Sequence, residues 1–271
     1  MLTGARQISE VMARVSLVGD RGQAFVSVLF DDRAKVAGLA IDQDERDGRF
    51  WIVVGCTREE REELKSFYSV LTAGPIGYGE GGAYRPRWPS PEHPAQIHFD
   101  IAVADLEEAE REVVARGATK LAEFPTWRVY ADPVGHPFCL YPELTEPAER
   151  IGTLSRVVID CADPAVLANF WAAMLDMPRR VHDTGDRIVI AGGNTEQPMV
   201  ALQRIPEYRP PRWPDPEHPA QMHFDIGYDD RLAKERLALR LGAGRLPAQG
   251  GSCPVYADPA GHPFRLCYKG E

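Results

Sequence analysis

The sequence predicts an α+β fold: paired βαβββ modules forming curved mixed β-sheets, with the whole arrangement duplicated. Three observations carry this. First, Tyr84–Ile101 (YRPRWPSPEHPAQIHFDI) returns at Tyr208–Ile226 with one proline added. Second, Val129–Phe138 (VYADPVGHPF) returns at Val255–Phe264 (VYADPAGHPF), so six of the 7 histidines form the matched pairs His93/His218, His98/His223 and His136/His262. A repeat of about 125 residues is too long for a solenoid unit and reads as duplication of a whole small domain. Third, each half of a copy reads as a β-rich run, an amphipathic helix and then further short β-rich runs.

Residues 1–49 match nothing in the repeat. Ala24–Phe30 (AFVSVLF) and Val36–Ile41 (VAGLAI), joined through Asp31–Lys35, read as a β-hairpin. Two readings stay open: the hairpin covers a sheet edge left bare in the first copy, or it is an unrelated appendage. The first copy takes residues 50–149. Phe50–Cys56 (FWIVVGC) is its first strand and Glu59–Leu71 its helix, with Phe67–Tyr68 at the place of Phe170–Trp171. Only Pro75–Ala83 then separates the helix from Tyr84, so strands matching Arg187–Ala191 and Met199–Ile205 have no counterpart and the front module is truncated. The back half, Gln96–Tyr141, is intact.

The second copy, residues 152–271, is complete. Arg156–Asp160 (RVVID) is a strand. Asp163 and Pro164 follow as N-cap and N1 proline, and Val166, Leu167, Phe170, Trp171, Met174 and Leu175 recur at helical spacing until Met177–Pro178. Arg187–Ala191 and Met199–Ile205 are strands after turn residues. The proline-rich stretch Tyr208–Pro219 cannot be a helix interior or a central strand and reads as an extended connector. Gln221–Tyr228 is again a strand, Asp230–Leu241 a helix ended by Gly242, and strands follow near Leu246, at Pro254–Ala257 and at Phe264–Tyr268.

Bulk properties narrow the function classes. A net charge of −9, with no polybasic run, argues against nucleic-acid partners. No apolar stretch is long enough to span a bilayer, and no signal-peptide pattern opens the chain, so a cytoplasmic protein is expected. The five cysteines, Cys56, Cys139, Cys161, Cys253 and Cys267, show no C-x-x-C spacing and read as buried reduced thiols.

The start VVIDCADPAVLANFWAAML and the ending VYADPAGHPF resemble the glyoxalase/bleomycin-resistance/dioxygenase superfamily, also called vicinal oxygen chelate proteins, and within it the glyoxalase-like domain group. The resemblance covers residues 154–268 and 96–143 well, 50–83 partly, and 1–49 not at all. It implies a site inside a curved sheet. In metal-dependent members, ligands come from the first and last strand of each module, usually His and Glu. At those positions the second copy holds Arg156, Gln203, His223 and Arg265, and the first holds Trp51, His98 and Cys139. Arginine cannot coordinate a metal. The expectation is therefore no metal and no cofactor, with a divalent transition metal as the alternative.

What the resemblance then implies is a glyoxalase-like small-molecule binding protein of antibiotic-resistance or metabolite-binding type. The alternative is a metal-dependent or His-based lyase, isomerase or dioxygenase of the same superfamily, with His223 as the catalytic base. Arg156 and Arg265 would clamp an anionic or strongly accepting group of a small organic ligand, with Gln203 nearby. The competing reading is that Asp160 or Asp225 neutralises an arginine. Tyr208 and Trp213 form either an aromatic rim to the pocket or an ordered strap between modules. His136 and His262 read as structural turn residues. No membrane partner is expected, and a homodimer is left open.

Overall fold

The computed structural model describes residues 11–19, 22–30, 36–42, 50–80, 96–144, 149–193, 198–212, 222–228, 230–247 and 253–268. Trp213, His93 and His218 lie outside the described residues. The chain forms two compact units, residues 1–47 and 48–271. The first carries β1 (Val11–Gly19), β2 (Gly22–Phe30) and β3 (Val36–Asp42), paired antiparallel in that order. The expected hairpin is β2–β3; β1 went unread in the sequence.

The second unit is four consecutive modules. The first is β4 (Phe50–Cys56), α1 (Arg61–Leu71) and β5 (Ile76–Glu80). The second is β6 (Ile97–Ala102), α2 (Leu106–Ala115), β7 (Thr119–Glu123), β8 (Arg128–Ala131) and β9 (Pro137–Tyr141). The third is β10 (Thr153–Cys161), α3 (Pro164–Met174), β11 (Arg179–Asp183), β12 (Arg187–Ala191) and β13 (Met199–Arg204). The fourth is β14 (Met222–Tyr228), α4 (Arg231–Arg240), β15 (Gly244–Arg245), β16 (Val255–Ala257) and β17 (Pro263–Tyr268). The fold is α+β with mixed sheets and duplicated halves.

Helix limits follow from local chemistry. The Asp163 carboxylate accepts from the N–H groups of Ala165 and Val166, and Pro164 opens α3. Leu167, Phe170, Trp171 and Met174 are buried, while Val166 is 49% exposed and faces away from the core. Asp230 caps α4 by accepting from Ala233 N–H, and Gly242, at φ +99°, follows its end as expected.

The sheets join the copies crosswise. The eight-stranded sheet runs β11-β12-β13-β10-β6-β9-β8-β7, so the front module of copy two pairs with the back module of copy one. The six-stranded sheet runs β15-β16-β17-β14-β4-β5 and joins the remaining two modules. The seams are antiparallel, with Val157 opposite Phe99 in one and Phe224 opposite Ile52 in the other. A sequence boundary near residue 150 therefore separates the copies but cuts through both sheets. The connectors explain the choice. Only residues 142–152 separate β9 from β10 in the chain, and these two strands flank β6 in the same sheet. Both copies of the proline-rich segment fall where the chain passes from one sheet to the other, and proline cannot continue a ladder.

The repeated D-P-x-G-H-P-F turn ties the sheets together within each copy. Asp132, in the turn before β9, accepts from Tyr68 Oη of α1 at 2.9 Å. Asp258 accepts from Trp171 Nε1 of α3 at 3.1 Å. The buried rings of His136 and His262 pair through Nδ1 with these same carboxylates, and Asp132 and Asp258 also accept the backbone N–H groups of their own turns. Both histidines are structural, as read, but their partners are side-chain carboxylates. Around the ties, Phe67 meets Phe138 and Trp171 meets Phe224 and Phe264 in one continuous core.

Two expectations need correction. Copy one does possess a counterpart of β13: β5 runs parallel to β4, Ile52 opposite Ile76, as β13 runs parallel to β10. Its glycines hid it; a Cβ on Gly79 would lie 2.8 Å from a Val53 methyl, so the close strand approach requires glycine. Only the β11–β12 hairpin lacks a counterpart among the described residues. The cysteines are not all reduced: Cys253 and Cys267 form a disulfide across the β16–β17 hairpin, while Cys56, Cys139 and Cys161 are free and buried. A cross-strand pair 14 residues apart has no short-motif signature. Among the described residues, no helix is long and apolar enough to cross a membrane.

Candidate functional site

A cavity of about 710 Å³ opens on the face of the eight-stranded sheet turned away from the core. Strand alternation sets its floor. On β6, Ile97, Phe99 and Ile101 enter the core, so His98 and Asp100 turn the other way. On β10, Val157 and Ile159 enter the core, leaving Arg156, Val158 and Asp160 on the cavity side. Register then places Asp100 between Arg156 on one neighbouring strand and Cys139 on the other. Farther out, Gln203 lies between Asp160 and Arg187.

The polar floor is one network. Asp100, completely buried, accepts through Oδ2 from Arg156 Nε at 3.1 Å and from Arg187 Nη2 at 2.8 Å. Arg187 Nη1 also donates to Gln203 Oε1 at 2.7 Å, and Gln203 Nε2 reaches Asp160 Oδ1 at 3.4 Å. Arg156 Nη2 donates to Glu143 Oε1 at 2.7 Å. Asp100 Oδ1 is buried without a hydrogen bond, 3.6 Å from His98 Nε2. One wall is aromatic: Trp127 stacks on Tyr141 with centroids 5.9 Å apart, and the Arg156 guanidinium lies 5.4 Å from the Tyr141 ring.

Burial sets the proton states. It pushes His98 below the ordinary imidazole range, despite the opposing pull of Asp100. It pushes the Cys139 thiol far up, with Asp100 adding to the effect. It raises Asp160 to about 7, against the attraction of His262 and Arg187. The floor therefore brings two guanidinium groups and the buried Asp100 carboxyl together with three groups whose neutral form burial favours.

The four positions implied for metal ligands are filled here by His98, Cys139, Arg156 and Gln203. His98, Asp100 and Cys139 do bring donor atoms within 4.8 Å of one another. Two guanidinium groups nevertheless occupy Asp100 Oδ2, and one of them also occupies the Gln203 carbonyl oxygen. Asp100 Oδ1, His98 Nε2 and Cys139 Sγ are the donors left for a transition ion, beside two arginine charges that oppose a cation.

The six-stranded sheet gathers the other sequence-predicted residues. Arg265 Nε donates to Asp225 Oδ1 at 2.6 Å, and Nη2 donates to Oδ2. His223 Nε2 lies 3.3 Å from Asp225 Oδ1. Burial pushes the Asp225 carboxyl up, but His223 and Arg265 outweigh it and hold the pKa below the usual range. Trp51 stands opposite Asp225, its indole N–H buried without a hydrogen-bond partner among the described residues.

The expected site thus divides. Arg156, Gln203 and Asp160 share the eight-stranded sheet; His223 and Arg265 lie on the other, so an Arg156–Arg265 clamp does not form. The matched histidine at the cavity is His98. Each arginine is neutralised by an aspartate, Arg265 by Asp225 as the competing reading had it, but Arg156 by Asp100 rather than Asp160. Tyr208 belongs to the strap: its hydroxyl bonds Ala260 O and His262 Nε2, both at 2.9 Å. Sequence reading missed Asp100 and Arg187. Asp100 was findable, because His98-Phe99-Asp100 repeats His223-Phe224-Asp225 and strand alternation puts the His and Asp of each on one face. Arg187 carried no signal beyond opening a strand.

This geometry has a known family around it. The family described as "Glyoxalase-like domain" matches residues 40–141 and 156–267, and the chain belongs to it. No curated protein matches the chain. Among solved structures it is similar to glyoxalase I from Zea mays, at 14% identity and a TM-score of 0.45, covering 98% of this chain and 82% of that one. It is also similar to the fosfomycin resistance protein FosX from Mesorhizobium loti, at 15% identity and a TM-score of 0.31, over 40% of this chain and 85% of that one. A glyoxalase-related enzyme from Fulvimarina pelagi gives 16% identity and a TM-score of 0.31, over 42% and 86%. None of these likenesses carries an activity over to this chain.

Proposed function

We propose that the chain is a metal-free binding protein for a small, partly apolar organic molecule bearing an anionic or strongly accepting group. The observation that supports it is the cavity floor, where Arg156 and Arg187 converge on one buried carboxylate. Aromatic and aliphatic walls with a few converging polar groups are the usual make-up of a small-molecule site. An antibiotic-sequestering or metabolite-binding role fits this chemistry. A thermal-shift screen of a metabolite and antibiotic library, on wild type and Arg156→Met, tests it, since a ligand of the folded state raises the melting temperature. Hits whose shifts survive Arg156→Met would move the site elsewhere. Elemental analysis of protein purified without added metal should find less than one transition ion per chain; one Fe, Zn or Ni per chain, lost in His98→Ala, would overturn the metal-free part.

A His-based lyase or isomerase is the second reading. It is favoured by one observation: His98 is in the cavity and burial keeps it neutral, the state a general base requires. Turnover of a screening hit, abolished in His98→Ala while binding persists, would select it. Cytoplasmic location and a homodimer complete the proposal and are tested by fractionation and by light scattering.

A further inference from the structure

Among the described residues, Glu143 is the most exposed partner in the network of the cavity floor. It follows β9 in an irregular stretch, and its side chain is 42% exposed, against 14% for Arg156 and 0% for Asp100. Its Oε1 nevertheless holds Arg156 Nη2 at 2.7 Å, a different nitrogen from the Nε that Asp100 engages. Asp100 is held by two arginines and complete burial, so among the described partners of Arg156 Glu143 is the more accessible to exchange.

The charge count points the same way. Arg156 and Arg187 supply two positive charges to the network, and Asp100 and Glu143 supply two negative charges. His98 and Cys139 are biased toward neutrality by burial, and Asp160 stands behind Gln203 rather than at the cavity surface. His182 lines the rim and is exposed. With Glu143 swung away, the floor is one negative charge short. A ligand carrying one carboxylate restores the balance and meets a guanidinium edge already oriented by Asp100. The adjoining surface is the Tyr141 ring, itself stacked on Trp127, which suits a planar apolar body.

We propose that Glu143 is a built-in competitor for Arg156, and that the ligand class is a monoanionic aromatic carboxylate whose carboxylate displaces it. Glu143 then sets specificity. A neutral ligand leaves it in place and gains nothing from the arginine, whereas a monoanion exchanges with it one for one. This rests on the cavity being the binding site, and it adds what the ligand must carry.

The test is calorimetric titration of 2-naphthoate and its neutral isostere 2-naphthamide into the full chain at pH 6.5. Wild type, Glu143→Gln and Arg156→Met are compared. Removing the competing carboxylate should tighten 2-naphthoate about tenfold, the effect of roughly one charge-assisted hydrogen bond, and leave 2-naphthamide unchanged. Arg156→Met should lose the preference for the acid. Equal 2-naphthoate affinity in wild type and Glu143→Gln, with loss in Arg156→Met, overturns the competitor while the cavity stands as the site. Binding untouched by either substitution overturns both. Absence of 2-naphthoate binding even in Glu143→Gln also overturns the proposal, since the freed arginine edge should then be at its most receptive; the library screen judges the cavity separately.

Discussion

Replacing Asp100 by asparagine keeps the side-chain shape and removes the charge on which two guanidinium groups depend. Arg156 and Arg187 then face each other across a neutral amide on a floor that is largely closed to water. Removing one partner of a buried ion pair costs about 3–5 kcal/mol, mostly through the charge left behind. The side chains of Arg156 and Arg187 retain 14% and 27% exposure, so the expectation is the lower end, about 3 kcal/mol. For a unit of this size that is roughly 6–12 °C of melting temperature. Urea unfolding followed by far-UV circular dichroism is the assay, with an unchanged slope and a lowered midpoint as the signature. Asp225→Asn is the internal control. Its partner Arg265 is 37% exposed, so water can take over the solvation, and the cost should be about 1 kcal/mol. Adding Arg187→Met to Asp100→Asn should recover part of the loss, because the two residues share one network. Equal costs for the two asparagine variants, or less than about 1 kcal/mol for Asp100→Asn, would refute the picture of a shared buried counter-ion.

Asp160 gives a pH signature. Its folded pKa of about 7 lies above the unfolded value, so the folded state holds the proton longer. Its burden on stability is absent below about pH 4, grows as pH rises toward 7 and is complete above it. Asp160→Asn should therefore match wild type near pH 4 and exceed it in urea midpoint near pH 8; a constant difference across that range would contradict the assignment. Asp258→Ala orphans the Trp171 indole N–H and the turn N–H groups of Ala260 and His262, and should cost at least about 3 kcal/mol in chemical denaturation. A loss under about 1 kcal/mol would mean that the turn is not the tie between sheets. In Gly152→Ala the new Cβ would meet the Ala102 carbonyl oxygen at 2.5 Å, at the seam between β6 and β10. A loss of about 1–3 kcal/mol is expected, and an unchanged melting curve would contradict the close packing there.

Much of the fold could be read from local pattern. The capped helix at Asp163-Pro164, the strand RVVID and the turn D-P-x-G-H-P each state their own geometry. The partnering of modules could not be read, because a repeat tells which segments are alike and not which ones meet. Arg156 lies in the first strand of one module and Arg265 in the last strand of the next, and the seams send them to different sheets. β5 stayed hidden because its glycines answer to Val53 on the neighbouring strand, a tertiary demand with no local trace. At the site, Arg156 and Gln203 were visible as polar residues in strands with an apolar core face. Asp100 is the counter-ion only because β6 lies beside β10, a contact absent from any linear window.

The crosswise seams also set an order of events for the nascent chain. Within the second unit β4, α1 and β5 leave the ribosome first, but β14, the strand that must lie against the other edge of β4, is made about 170 residues later. At ordinary elongation speeds that is a wait of roughly 10–30 s. During it, the eight-stranded sheet has every strand it requires, since β6 to β13 are consecutive in the chain. The cavity-bearing half can close while its companion still has an open edge at β4. Any slowing of translation before Met222 therefore lengthens the exposure of that edge, which belongs to the sheet that does not carry the cavity.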